Sequence, residues 1–203
     1  MNRRFARFVA TLLLADTGFF LQRCAAEAQA AAIKTTAVGT SVTEIIEFGE
    51  QYLGSELYDT KITVLEVVRG EKAWERIREA SAFNPEPKPG AEYLLAKVRF
   101  EFAARTSPAN DTYELNPSQF VATNARGGEI ESPQLNTQPQ PALRGALKAG
   151  DSVEGWLAFE VPRKLLRPLV VFREDVGQVS HRGGGTWFQL YVTQRAAAHK
   201  SAR

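Results

Sequence analysis

The 203-residue chain carries 25 Lys and Arg against 23 Asp and Glu, is 44% hydrophobic and has one cysteine. That length suits a single domain with extensions, the apolar share is enough for a packed core, and a lone cysteine excludes a disulfide framework. The near balance of charge gives no argument for nucleic acid, and no nucleic-acid partner is expected.

The chain opens with MNRRFARFVATLLLADTGFFLQRCAAEAQA. Arg3, Arg4 and Arg7 precede an apolar stretch from Phe8 to Leu21, and small residues close it at Ala28, Gln29 and Ala30. A basic start, an apolar middle and an A-x-A end are the layout of a secretory signal peptide, here residues 1–30. Asp16 and Arg23 break the pattern, and retention as an uncleaved anchor is the alternative. The stretch is too short and too interrupted for a comfortable membrane span, so no stable span is expected once it is removed. Cys24 follows Arg23, where lipid attachment wants a small residue, which argues against a lipoprotein anchor. Residues 1–30 hold four of the basic and two of the acidic side chains, so the remainder balances at 21 of each. The expected location is secreted, periplasmic or cell-envelope.

Residues 31–37 read as a linker and 38–45 as a first strand, followed by an irregular FGEQYLGSELYD. TKITVLEVVRG, rich in β-branched residues, is a strong strand. Strict alternation along it would put Ile62, Val64 and Val68 on one face and Thr63, Leu65 and Val67 on the other. In EKAWERIREAS the residues Ala73, Trp74, Ile77 and Ala80 share a helical face, and Lys72–Glu75, Glu75–Arg78 and Arg76–Glu79 are spaced as helical ion pairs. Asn84, Pro85, Pro87 and Pro89 end that helix.

AEYLLAKVRFEFAA alternates cleanly. Leu94, Ala96, Val98, Phe100 and Phe102 are core candidates, and Tyr93, Lys97, Arg99 and Glu101 point away. A loop, a strand at SQFVATN, a turn at ARGGE and a polar, proline-broken connection SPQLNTQPQP follow. Further strands lie in ALRGALKAGDSVEGWLAFEVP, RPLVVFRE and TWFQLYVT. The domain spans residues 38–194, and RAAAHKSAR at 195–203 is a disordered basic tail.

Short strands, one short helix and no alternation of strands with long helices give an all-β class: an immunoglobulin-like antiparallel β-sandwich of seven to nine strands. KITVLEVVRGEKAWERIREASAFNPEPKPGAEYLLAKVRFEF resembles the first half of an immunoglobulin-like domain of unknown function found in bacterial secreted proteins and lipoproteins. Its clan includes the mycobacterial immunoprotective extracellular antigen. LKAGDSVEGWLAFEVPRKLLRPLVVF resembles the second signature of that family, and GGGTWFQL its closing strand. The resemblance implies the fold and no chemistry.

Nucleophilic catalysis needs a base beside the nucleophile, and His181 and His199 are the two histidines. His199 lies in the tail, and no serine elbow accompanies either. The expectation is therefore a protein that is not an enzyme and has no cofactor. Trp156, Trp187 and Tyr191 alternate with apolar partners and fall on outer sheet faces, where they could stack on a glycan or a protein partner. Against this, the helix would cover one of them with Trp74 and Ile77. Glu174, Asp175 and His181 cluster around one loop and are the candidate metal ligands, calcium being the class that oxygen-rich loops favour. Three readings follow: a non-catalytic interaction module, a metal-dependent protein or enzyme using the 174–181 loop, and a purely structural accessory domain.

Overall fold

The computed structural model describes residues 33–48, 56–105, 112–174 and 185–192. These form nine strands and one α-helix. In chain order they are β1 (Ser41–Phe48), β2 (Glu56–Arg69), α1 (Glu71–Ala80), β3 (Ala91–Ala104), β4 (Tyr113–Leu115), β5 (Phe120–Thr123), β6 (Gly145–Leu147), β7 (Ser152–Pro162), β8 (Leu169–Phe172) and β9 (Thr186–Gln189). The first sheet runs β1-β2-β3-β7, the second β5-β8-β9, and β4 pairs with β6. Every strand pair is antiparallel. One apolar core lies between the layers: Ile62, Val64, Leu94, Phe100, Leu157 and Phe159 from the first sheet meet Phe120, Val170, Phe172 and Phe188 from the second. This is the all-β sandwich with one inserted helix that the alternation pattern implied.

The alternation of β3 is realised as written. Leu94, Ala96, Val98, Phe100 and Phe102 all enter the main core. β2 departs from strict alternation. Its register on β3 shifts between Val64 and Glu66, leaving Leu65 as an extra residue. Such a bulge reverses the facing of everything after it. Val67 therefore packs on the main core with Ile62 and Val64, while Val68 points outward. The sequence expectation had these two the other way round, because a period of two cannot register an inserted residue. Likewise, the stretch expected to be irregular is strand at both of its ends: β1 reaches Phe48 and β2 starts at Glu56.

A second apolar layer lies on the outside of the first sheet. Ala73 and Ile77 of α1 pack on Tyr93, Leu95 and Trp156, with Val68, Trp74, Leu135 and Ala158 around them. Tyr93 does point away from the main core, yet it is buried because α1 lies over it. Gly70 makes the strand-to-helix corner. Its φ of 71° lies in the left-handed region, and a β-carbon there would press on Glu92. The chain then starts the helix without a side-chain cap. Arg76 does not pair along the helix. It lies 4.5 Å above the Trp156 ring and 4.0 Å from Glu66 of β2.

Candidate functional site

The segment 135–144 and strand β7 together make a concave feature of the described residues. It is a groove of about 700 Å3 between Asn136, Thr137, Gln138 and Gln140 on one wall and Arg144, Val153 and Glu154 on the other. Two devices hold the first wall in place. At its start, the buried Asn84 amide donates to the Ile77 carbonyl at 2.8 Å and to the Thr137 carbonyl at 2.9 Å, and accepts from the Thr137 amide at 3.0 Å. Asn136 adds a bond to the Phe83 carbonyl. Asn84 thus adds a second bond to a carbonyl in the last turn of α1, which also accepts from the Ser81 amide, and ties the helix to the groove wall.

At its far end, the wall pairs with β7. The Trp156 amide donates to the Pro141 carbonyl at 2.8 Å, and the Leu143 amide to the Trp156 carbonyl at 3.3 Å. Backbone can approach this closely because residue 155 is glycine. A β-carbon there would lie 2.5 Å from the Ala142 carbonyl carbon and against the Leu143 amide nitrogen. The Gly-Trp pair of EGWLAFEVP therefore has two separate structural jobs: Gly155 admits the groove wall, and Trp156 supports the helix.

Charge concentrates on the sheet side of the groove. Glu154 takes Arg99 on Oε1, with the guanidinium Nη2 at 2.5 Å and Nε at 2.8 Å, and Lys97 on Oε2 at 3.1 Å. The Arg99 hydrogen bond, followed by that of Lys97, holds the Glu154 carboxyl below the usual carboxylate range. Lys61 pairs with Glu101 at 3.0 Å beside them. Arg144 is exposed and closes no ion pair among the described residues.

A smaller slot of about 170 Å3 lies at the start of α1, between Gly70, Trp74, Pro87, Tyr93 and Arg163. Trp74 stacks on Tyr93 with ring centres 5.8 Å apart, and the Tyr93 hydroxyl donates to the Pro85 carbonyl at 2.9 Å. Burial, with the nearby Glu160, pushes the Tyr93 phenol up. Arg69 closes on Glu92 at 2.6 Å next to it.

The three aromatic candidates do not share a surface. Trp156 is 7% exposed and sits under α1 on the outside of the first sheet. Trp187 pairs in register with Val171 in the second sheet and alternates with the core residue Phe188, so it faces outward on the opposite side of the sandwich. It is half-buried, with Ile33 and Gly127 close by. Tyr191 follows β9 and is half-buried. Trp156 and Trp187 thus sit on different sheets, and Tyr191 follows the strand that carries Trp187. Glu174 is half-buried at the end of β8, and its carbonyl accepts from Gln119 at 2.7 Å. Asp175 and His181 lie outside the described residues, as do residues 1–32 with the signal-like stretch and Cys24, and the tail. Among the described residues no three His, Cys, Asp or Glu side chains gather as a metal site. No helix of the described residues is long and apolar enough to cross a membrane.

The groove itself was not legible as a site. In the sequence its wall is a polar connection, and the one signal is its run of Asn, Gln and Thr between prolines. What turns that run into a surface is contact with Asn84 and Gly155, neither of which is adjacent in sequence.

Fold and groove together define a compact all-β sandwich module whose inserted helix roofs one sheet. The chain belongs to the family of the domain of unknown function DUF4352, whose model matches residues 55–174. No curated protein matches it significantly. Among solved structures it is similar to the yjhA protein of Bacillus subtilis, at 13% identity and a TM-score of 0.44, over 77% of this chain and 100% of that one. It is also similar to ycdA, a candidate lipoprotein of Bacillus subtilis, at 12% identity and a TM-score of 0.47, over 70% of this chain and 39% of that one.

Proposed function

We propose that this protein is a non-catalytic interaction module of the cell envelope or the extracellular space, and that the groove between segment 135–144 and β7 is its contact surface. The observation that carries this reading is the groove wall itself. A loop of amide and hydroxyl side chains is held rigidly at both ends, by Asn84 and by the β7 pairing, and its Asn136 and Gln140 are exposed. Pre-ordered polar walls lower the entropy cost of binding. The signal-like N-terminus supports the location, and the kinship with the clan of the mycobacterial antigen belongs to the same reading. The burial of Trp156 beneath α1 favours a structural role for that residue.

The test is a glycan array combined with capture from an envelope extract, run with the wild-type protein and with Gln140→Trp, which fills the groove from an exposed position. A partner retained by the wild type and lost by the variant supports the reading. Equal retention by both, or blank results beside matched controls, counts against it.

A further inference from the structure

The charge around the groove narrows the class of ligand, on the footing that the groove is the contact surface. Arg144 and Glu154 line the groove, and Lys97 and Arg99 join it through Glu154. Lys97 and Arg99 both close on Glu154, and Arg144, on the same wall, stands exposed without an ion pair among the described residues. The neighbouring Glu101 is already matched by Lys61, and Glu66 by Arg76. The local balance is therefore positive, although the chain from residue 31 onward is neutral. Positive charge held along one wall of a groove attracts anionic chains and orients them.

The opposite wall adds no charge. Asn136 and Gln140 each use one amide N–H on a protein carbonyl, Phe83 and Gln138 respectively, and with Gln138 still present groups that donate and accept, while Thr137 offers a hydroxyl. Paired donors and acceptors suit sugar hydroxyls, while the guanidinium of Arg144 suits a planar carboxylate. The backbone of an acidic peptide can also pair with the row of amides, which makes a glutamate oligopeptide the discriminating control. We propose that the groove binds an acidic polysaccharide, a chain of uronic-acid type sugars, with Arg144 taking a carboxylate and the 136–140 wall taking ring hydroxyls.

Isothermal titration of the full chain with an oligogalacturonate tests this, beside a neutral glucan oligomer and a glutamate oligopeptide of equal length. The oligogalacturonate is expected to bind, Arg144→Ala to weaken it about tenfold as one charge-assisted contact is lost, and raised salt to weaken it further. Arg144 is exposed, so the variant keeps its fold, which circular dichroism checks. Equal binding of the neutral glucan overturns the acidic assignment while leaving the groove as a contact surface. Equal binding of the glutamate peptide shows that charge alone is read and overturns the sugar assignment. Binding that Arg144→Ala leaves unchanged, or no binding of the oligogalacturonate, overturns the proposal outright. The Gln140→Trp comparison separately decides whether the groove is a contact surface at all.

Discussion

Asn84 and Thr137 hold each other through two hydrogen bonds, amide to carbonyl at 2.9 Å and backbone amide to side-chain oxygen at 3.0 Å, across 53 residues of sequence. The same Asn84 amide also reaches the last turn of α1 at the Ile77 carbonyl. One buried side chain thus joins the roof helix to the groove wall. Asn84→Ala removes all three bonds and is expected to cost about 2–3 kcal/mol, since buried backbone groups lose their partners. Chemical denaturation measures the loss, and hydrogen exchange at the Thr137 amide should accelerate. A loss below about 0.5 kcal/mol, within the usual range of surface substitutions, would show that water replaces the amide.

The roof helix rests on Ile77 more than on Trp74. Ile77 is fully buried, whereas Trp74 is half-buried and leans on Tyr93. Ile77→Ala is expected to cost about 2–5 kcal/mol and Trp74→Ala about 1–2 kcal/mol, the full aromatic penalty applying to a fully buried ring. The order of the two unfolding midpoints is the readout, and a larger loss for Trp74→Ala would reverse the assignment.

Gly155 is expected to tolerate no side chain. Its β-carbon would meet the backbone of Ala142 and Leu143, which cannot swing aside as a flexible side chain can. Gly155→Ala should therefore destabilise by about 3 kcal/mol or more, at the upper end of overpacking effects. It should also weaken protection of the Leu143 amide. A thermal midpoint equal to the wild type would mean that the groove wall moves freely on β7.

Two glutamates should answer pH in opposite directions. The Arg99 and Lys97 bonds depress the Glu154 carboxyl in the folded state, so its contribution is present above the ordinary carboxylate value and is lost as pH falls through the folded value. Glu154→Gln should then be less stable than the wild type at neutral pH, and the difference should close in acid. Glu44, half-buried beside core neighbours on the edge strand β1, is raised by burial. A raised acid favours the folded state below its unfolded value and penalises it as pH rises through the folded one. Glu44→Gln should gain stability at neutral pH, and the gain should vanish in acid. An inward charge on an edge strand also discourages edge-to-edge pairing, so Glu44→Val should self-associate in sedimentation experiments.

The sequence by itself determined the strands whose facing is a local matter. The alternation from Leu94 to Phe102 is a period of two, and it survives intact because β3 is flanked by β2 and β7 along its length. The helix was legible for the same reason, since Ala73 and Ile77 repeat at helical spacing and three prolines stop the chain behind it. Tertiary structure alone decided the rest. The extra residue Leu65 exchanges Val67 and Val68 between faces, and only the partner strand's register reveals it. Trp156 and Trp187 look alike in alternation, yet they sit on different sheets, one beneath α1 and one on the far side of the sandwich. The groove needs Asn84, Thr137, Leu143 and Gly155 brought together from distant parts of the chain. Periodicity reports which way a side chain points along its own strand, whereas what it points at depends on contacts made by residues far away in sequence.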